Sequence, residues 1–122
     1  MVTVRDVMSA DLVSVSPTAT IAEAATVMGT RRVGSALVMD GDELIGIFTE
    51  RDILRALAGD FDAPGHQVSG SMTRNPRTVD PATDVGEALD TMLQHGFRHF
   101  PVMDDGRVIG IVSMRDLTRG SR

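Results

Sequence analysis

Apolar and polar positions alternate along the chain in two periods, one near 2 residues and one near 3.6. Leu12-Val-Ser-Val15 is a short β-prone run closed by Pro17. A helix is expected from Thr20, where Thr20-x-x-Glu23 has the spacing of a capping box and Ile21–Met28 is apolar on more than one face. Ala36–Met39 and Glu43–Phe48 read as two strands around the tight turn Asp40-Gly41-Asp42. A last helix is expected from Thr49, with Thr49-x-x-Asp52 again placed as a cap. Further on, Val85, Ala88, Leu89, Met92 and Leu93 recur at i, i+3, i+4, i+7 and i+8 behind Asp84-x-x-Glu87, which marks a second buried helix face. The element order is β-α-β-β-α, given twice. It predicts an α/β fold (an α+β sandwich) with helices covering small sheets.

The second half repeats the first. A shift of 64 positions places Met8 on Met72, Val15 on Val79, Pro17 on Pro81, Glu23-Ala24 on Glu87-Ala88 and Met28 on Met92. It also places Val38-Met39-Asp40 on Val102-Met103-Asp104, Ile45-Gly46-Ile47 on Ile109-Gly110-Ile111 and Arg51-Asp52 on Arg115-Asp116, without a gap. Units of about 60 residues are marginal alone, so the two repeats are expected to pack together about a pseudo-twofold axis. Gly59–His66, with one proline and two glycines, reads as a linker between repeat one (1–58) and repeat two (67–122).

Composition narrows the function. Of 122 residues 42% are hydrophobic and 24% charged, enough for a core. No apolar run approaches the roughly 20 residues that span a bilayer. The opening MVTVRDVMSAD carries charge where a secretory signal needs an apolar stretch, so a cytoplasmic protein without membrane contact is expected. Cysteine is absent and the histidines stand apart at 66, 95 and 99, which argues against disulfides and metal sites. The net charge of −5 and the absence of Trp and Tyr argue against nucleic acid as a partner, while one basic pocket for a small anion remains compatible. The eight methionines fall mostly at repeat-equivalent core positions and read as packing. Arg5, Arg55, Arg107 and Arg122 read as solvated charges.

Candidate chemistry concentrates where a strand hands over to a helix. At Phe48–Thr49 a hydroxyl and free backbone N–H groups converge, an arrangement that attracts phosphate. Asp52, one turn on, is suited to accept both hydroxyls of a ribose. Arg51 and Arg115 precede the acids and offer charge-assisted bonds to phosphate. Gly46 and Gly110 allow close backbone approach to a ligand. Taken alone, Thr49/Asp52 and Ser113/Asp116 read first as helix caps and nothing more.

Three features together resemble a CBS domain, and the tandem resembles a Bateman module standing alone. The first is Met8 with Val15-Ser-Pro17, matched by Met72 with Val79-Asp-Pro81. The second is Phe100-Pro-Val-Met-Asp104, of which Ala36-Leu-Val-Met-Asp40 is a variant lacking the proline. The third is Gly46-Ile-Phe-Thr49-Glu-Arg-Asp52, matched by Gly110-Ile-Val-Ser113-Met-Arg-Asp116. The resemblance implies phosphate and ribose binding by the matching hydroxyl and Asp, in clefts between the two repeats.

Arg98 and His99 stand where nucleotide-binding repeats of this family carry basic residues; the first repeat has Gly34 and Ser35 there. The better site is therefore expected around Arg98, His99, Ser113, Arg115 and Asp116. The family's pattern would bring Leu12, Val13 and Val15 to it as an apolar slot for adenine. The second site would comprise Gly46, Thr49, Arg51 and Asp52, borrowing Met72 and Arg77 to Val79.

The implied function is a non-catalytic regulatory module sensing an adenosine-containing nucleotide, with AMP, ADP or ATP ahead of S-adenosylmethionine or NAD. It requires no cofactor. It is expected to act as a homodimer and to signal to an unidentified protein target. The apolar second face of the first helix, with Ile53, Leu54, Leu57 and Ala58, fits dimerisation. A ligand-free dimeric scaffold or interaction module is the alternative. An enzyme ranks below both, because no base–nucleophile pair or metal cluster accompanies the acids.

Overall fold

The computed structural model describes residues 1–120; Ser121 and Arg122, at the end of the second repeat, lie outside the described residues. The fold is mixed α/β with two repeats. Its compact units are cut differently from the sequence repeat. One unit is Val13–Pro76; the other joins Met1–Leu12 to the residues from Arg77 on.

In the Val13–Pro76 unit, β1 (Ser14–Val15) runs parallel to β2 (Ser35–Asp40), which forms an antiparallel hairpin with β3 (Glu43–Thr49). Gly41 makes that turn at φ 60°, a backbone region where a Cβ is penalised. A fourth strand, β4 (Thr73–Arg74), pairs with the far edge of β3, giving the order β1-β2-β3-β4. Helix α2 (Ile21–Arg31) starts as expected at Thr20. The Thr20 hydroxyl accepts the Glu23 N–H at 3.0 Å, and the Glu23 carboxylate accepts the Thr20 N–H at 3.0 Å. Ile21, Ala24 and Met28 are the buried stripe of α2, packed with Ala36, Val38 and Phe48. Helix α3 (Glu50–Gly59) follows β3 directly.

The segment read as a linker is built into this unit. Ala63, in a 3₁₀ turn over Ala63–Gly65, is 1% exposed and belongs to the core, and the His66 carbonyl accepts the N–H of Ile21 at the start of α2.

The other unit repeats the plan. Helix α4 (Val85–His95) is capped by Asp84, whose carboxylate accepts the N–H groups of Gly86 and Glu87. Strands β5 (His99–Asp104) and β6 (Arg107–Ser113) form a hairpin whose register slips between Val102 and Met103. The first hairpin slips at the equivalent step, Val38 to Met39. Helix α5 (Met114–Gly120) closes the plan. The opening strand of repeat two shrinks to one parallel bridge, Val79 to Val102. On the far edge of β6 lies Ser9 from the start of the chain, bonded in both directions to Ile111 at 2.9 Å. A short helix the sequence pattern does not predict, α1 (Val4–Val7), buries Val4 completely beside Val85, Met92 and Leu117.

Gly46 and Gly110 hold these edge strands in place. A Cβ on Gly46 would lie 2.6 Å from Met72 Sδ and 2.9 Å from the Thr73 carbonyl oxygen; on Gly110, 2.6 Å from Met8 Sδ and 2.9 Å from the Ser9 oxygen. The close approach these glycines permit is thus that of β4 and of the Met8–Ser9 segment. Met28, Met72 and Met92 are buried, as their repeat-equivalent positions suggest. Among the arginines read as solvated, Arg5 lies 3.4 Å from Asp104 in an exposed pair that adds little, while Arg55, itself exposed, lies 3.4 Å from the buried Asp52.

Candidate functional site

The two strand–helix junctions have the same backbone construction. At the end of β3 the Thr49 N–H and hydroxyl both donate to Asp52 Oδ2, at 2.8 and 3.1 Å, and the Asp52 N–H donates back to Thr49 Oγ1 at 3.3 Å. At the end of β6 the Ser113 N–H donates to Asp116 Oδ2 at 2.9 Å and the Asp116 N–H to Ser113 Oγ at 3.1 Å. Both hydroxyl–carboxylate pairs are therefore capping boxes, each turning a first-turn acid inward beneath the end of the strand.

They differ in what remains free. Asp52 is 5% exposed, and its second oxygen, Oδ1, accepts from Arg55 Nη1 at 3.4 Å. Asp116 is half-buried, and no described residue donates to its Oδ1. The Thr49 hydroxyl hydrogen is committed to Asp52, whereas no described residue accepts that of Ser113. Repeat two therefore keeps an O–H donor and a carboxylate acceptor available side by side.

The basic residues join this junction through the backbone. The Arg98 carbonyl accepts the Met114 N–H at 2.8 Å, which fixes the root of the exposed Arg98 side chain beside the first turn of α5. His99 is the cross-strand partner of Ser113 and is half-buried. Arg115 is exposed on α5 next to Asp116. Thus Arg98, His99, Ser113, Arg115 and Asp116 form one contiguous group. In the other unit Gly46, Thr49, Arg51 and Asp52 do the same around β3 and α3, with Met72 laid over Gly46.

The remaining candidates lie within their own units. Val13 is 6% exposed and Val15 packs partly against the same core, while Leu12 is exposed at the end of the first segment. Arg77 and Val79 border a cavity of about 230 Å³ together with Asp80, Glu87 and Phe100. The walls of that cavity do not include Arg98, Ser113 or Asp116.

No helix among the described residues is long and apolar enough to cross a membrane. Fold and junctions together define a duplicated α/β module that offers a hydroxyl–carboxylate pair at the head of the last helix of each repeat. Residues 4–59 and 67–121 each match the family model for the CBS domain. The chain belongs to the CBS domain family, as a tandem pair.

An uncharacterized 17.7 kDa protein of Acidianus ambivalens is 45% identical over 108 residues, which cover 86% of this chain and 64% of that protein, so the chain spans less than two thirds of it. The crystal structure of the CBS-domain containing protein ATU1752 from Agrobacterium tumefaciens superposes with a TM-score of 0.94 at 32% identity, covering 99% of this chain and all of that one. Two ligand-bound structures are similar as well. The CBS domain protein PAE2072 from Pyrobaculum aerophilum, complexed with AMP, gives a TM-score of 0.85 at 32% identity, with 94% and 89% of the chains covered. The CBS domain pair of protein MJ0100, complexed with 5′-methylthioadenosine and S-adenosyl-L-methionine, gives 0.89 at 29% identity, with 97% and 94% covered.

Proposed function

We propose that this protein is a non-catalytic regulatory module that binds an adenosine nucleotide, AMP, ADP or ATP, with the better site at the Ser113–Asp116 junction. The observation that carries this reading is the free donor–acceptor pair at that junction, with Arg98 rooted beside it. Asp116 Oδ1 accepts from the ribose hydroxyls, Ser113 Oγ donates to a phosphate oxygen, and Arg98 neutralises the phosphate charge. AMP in the similar protein PAE2072 supports the ligand class. Both acids serve as helix caps, each accepting a backbone N–H at the head of its helix, which favours binding over catalysis. A sensor of this kind transmits only the difference in affinity between its conformations.

The module acts as a homodimer. Leu54 and Leu57 of α3 are 70% and 46% exposed, and Val27 of α2 is 36% exposed, leaving apolar surface in the first repeat for a second copy. Its readout is a protein target.

A thermal-shift panel of AMP, ADP, ATP, S-adenosylmethionine, NAD and GTP tests the reading. A ligand present at 100 times its Kd adds about 2.7 kcal/mol, several degrees for a chain of this length. A rise with adenosyl compounds and not with GTP is expected. No rise with any of them overturns the sensor in favour of a ligand-free scaffold.

A further inference from the structure

The cavity of about 230 Å³ lies wholly within the second repeat, between residues 77–80 and α4. Its floor is apolar: Val79, Ala88 and Phe100, the last two 1% and 2% exposed. Val79 is fixed there by backbone bonds to Pro101 and Met103, both at 3.0 Å. The rim carries a cation and an acid, Arg77 and Glu87, on different segments. Neither side chain forms an ion pair or a hydrogen bond with any described residue, so the two charges border one cavity without closing on each other. Asp80, also on the rim, is engaged in its own turn, with Oδ1 accepting the Ala82 N–H at 2.8 Å. Thr91 donates its hydroxyl to the Glu87 carbonyl at 3.1 Å and keeps lone pairs as an acceptor.

The first repeat has no counterpart. At the shift of 64 positions, Arg77, Thr83 and Thr91 fall on Val13, Ala19 and Val27, and Phe100 falls on Ala36. Glu87 falls on Glu23, whose carboxylate is spent in a capping box on the Thr20 N–H at 3.0 Å. At α4 the cap is Asp84, which takes the Gly86 and Glu87 N–H groups by itself and leaves the Glu87 carboxylate free. The polar groups of the cavity are thus additions that the repeat's fold does not require.

We propose that this cavity is a separate ligand site for a small zwitterion, an α-amino acid with an aliphatic side chain. Arg77 takes the carboxylate, Glu87 and Thr91 Oγ1 take the ammonium group, and Val79, Ala88 and Phe100 take the side chain. At a water's share of roughly 30 Å³, the cavity holds about eight non-hydrogen atoms. That is the size of valine or leucine and far short of a nucleotide. Arg77 and Val79, which the family's pattern offers to a nucleotide, are here assigned to this smaller ligand. The inference does not depend on the adenosyl-binding reading.

An NMR titration of the isotope-labelled chain with L-leucine tests it. Saturable shifts of the Val79, Glu87 and Thr91 amides are expected at millimolar leucine. Isocaproate, which lacks the ammonium group, and isoamylamine, which lacks the carboxylate, should each bind at least about tenfold more weakly, as should leucine to Arg77→Gln and to Glu87→Gln, since each loses a hydrogen bond to a charged group. Both residues are exposed, so the Tm of the two variants should stay at the wild-type value. Saturating AMP should leave the affinity for leucine unchanged. No saturable shift with leucine or valine, or equal affinity for leucine and isocaproate, overturns the inference and leaves the nucleotide reading standing. Competition between AMP and leucine also overturns it, by making the cavity part of the nucleotide site.

Discussion

Replacing Gly46 with alanine puts a methyl group 2.6 Å from Met72 Sδ and 2.9 Å from the Thr73 carbonyl oxygen. The flexible thioether can turn aside. The carbonyl cannot, because Thr73 and Arg74 are held in register against Ile47 and Gly46. Overpacking of this kind costs about 1–3 kcal/mol. Alanine recovers about 0.5–1 kcal/mol by restricting the unfolded chain, so the net loss centres on about 1.3 kcal/mol and does not exceed about 2.5 kcal/mol. For a chain of this length the central value lowers Tm by about 5 °C. Gly110→Ala should behave alike, since Met8 Sδ and the Ser9 oxygen stand at the same 2.6 and 2.9 Å. Gly29→Ala is the control: it lies within α2 with nothing within 4 Å of the added atom, and should raise stability by about 0.5–1 kcal/mol. Urea denaturation of the three variants reads these differences. Gly46→Ala as stable as wild type, or Gly29→Ala losing as much, refutes the role assigned to the glycines.

Glu23 gives a pH dependence of known sign. The Thr20 N–H, and then its hydroxyl, hold the Glu23 carboxyl below its ordinary value. Its contribution is complete above the ordinary value of 4.5 and disappears as pH falls through the lowered folded value. Glu23→Gln should therefore flatten the loss of stability below that pH in urea titrations, and an unchanged acid limb contradicts the assignment. The dimer is checked by light scattering at micromolar concentration: Leu54→Asp with Leu57→Asp should give the 13.1 kDa monomer, and a wild-type chain that is already monomeric sinks the proposal. Ala63→Glu places a charge at a site 1% exposed and should lower Tm by several degrees; an unchanged Tm means that the segment is the loose linker its composition suggests.

The elements were legible because their signals are local. Thr20/Glu23, Thr49/Asp52 and Ser113/Asp116 stand at capping-box spacing, and each is formed as a cap. The two hairpins lie within a residue or two of their expected ends. Pairing was not legible, because alternation tells which residues form a strand and not which edge the strand joins. A repeat makes this worse: Ser9 and Thr73 are equivalent, and each pairs with the hairpin of the other repeat. Gly46 and Gly110 carried a trace of this, since each demanded a close neighbour, but the sequence could not say whether that neighbour was a ligand or Met72 and Met8. The packing of the 59–66 segment was hidden for a similar reason. Proline and glycine mark a turn, and Ala63 shows nothing in its composition of the core it enters. At the site, the residue types were readable, whereas the unequal freedom of Asp52 and Asp116 depends on Arg55 reaching back one turn of helix.

The central claim is that the Ser113–Asp116 junction binds an adenosine nucleotide, and calorimetric titration with AMP tests it most directly. Wild type should bind, and Asp116→Ala, shown by circular dichroism to be folded, should bind roughly 10- to 100-fold more weakly, as expected for lost hydrogen bonds to a charged acceptor. Equal affinity in the two proteins, or no binding of AMP, ADP or ATP to wild type, contradicts the account.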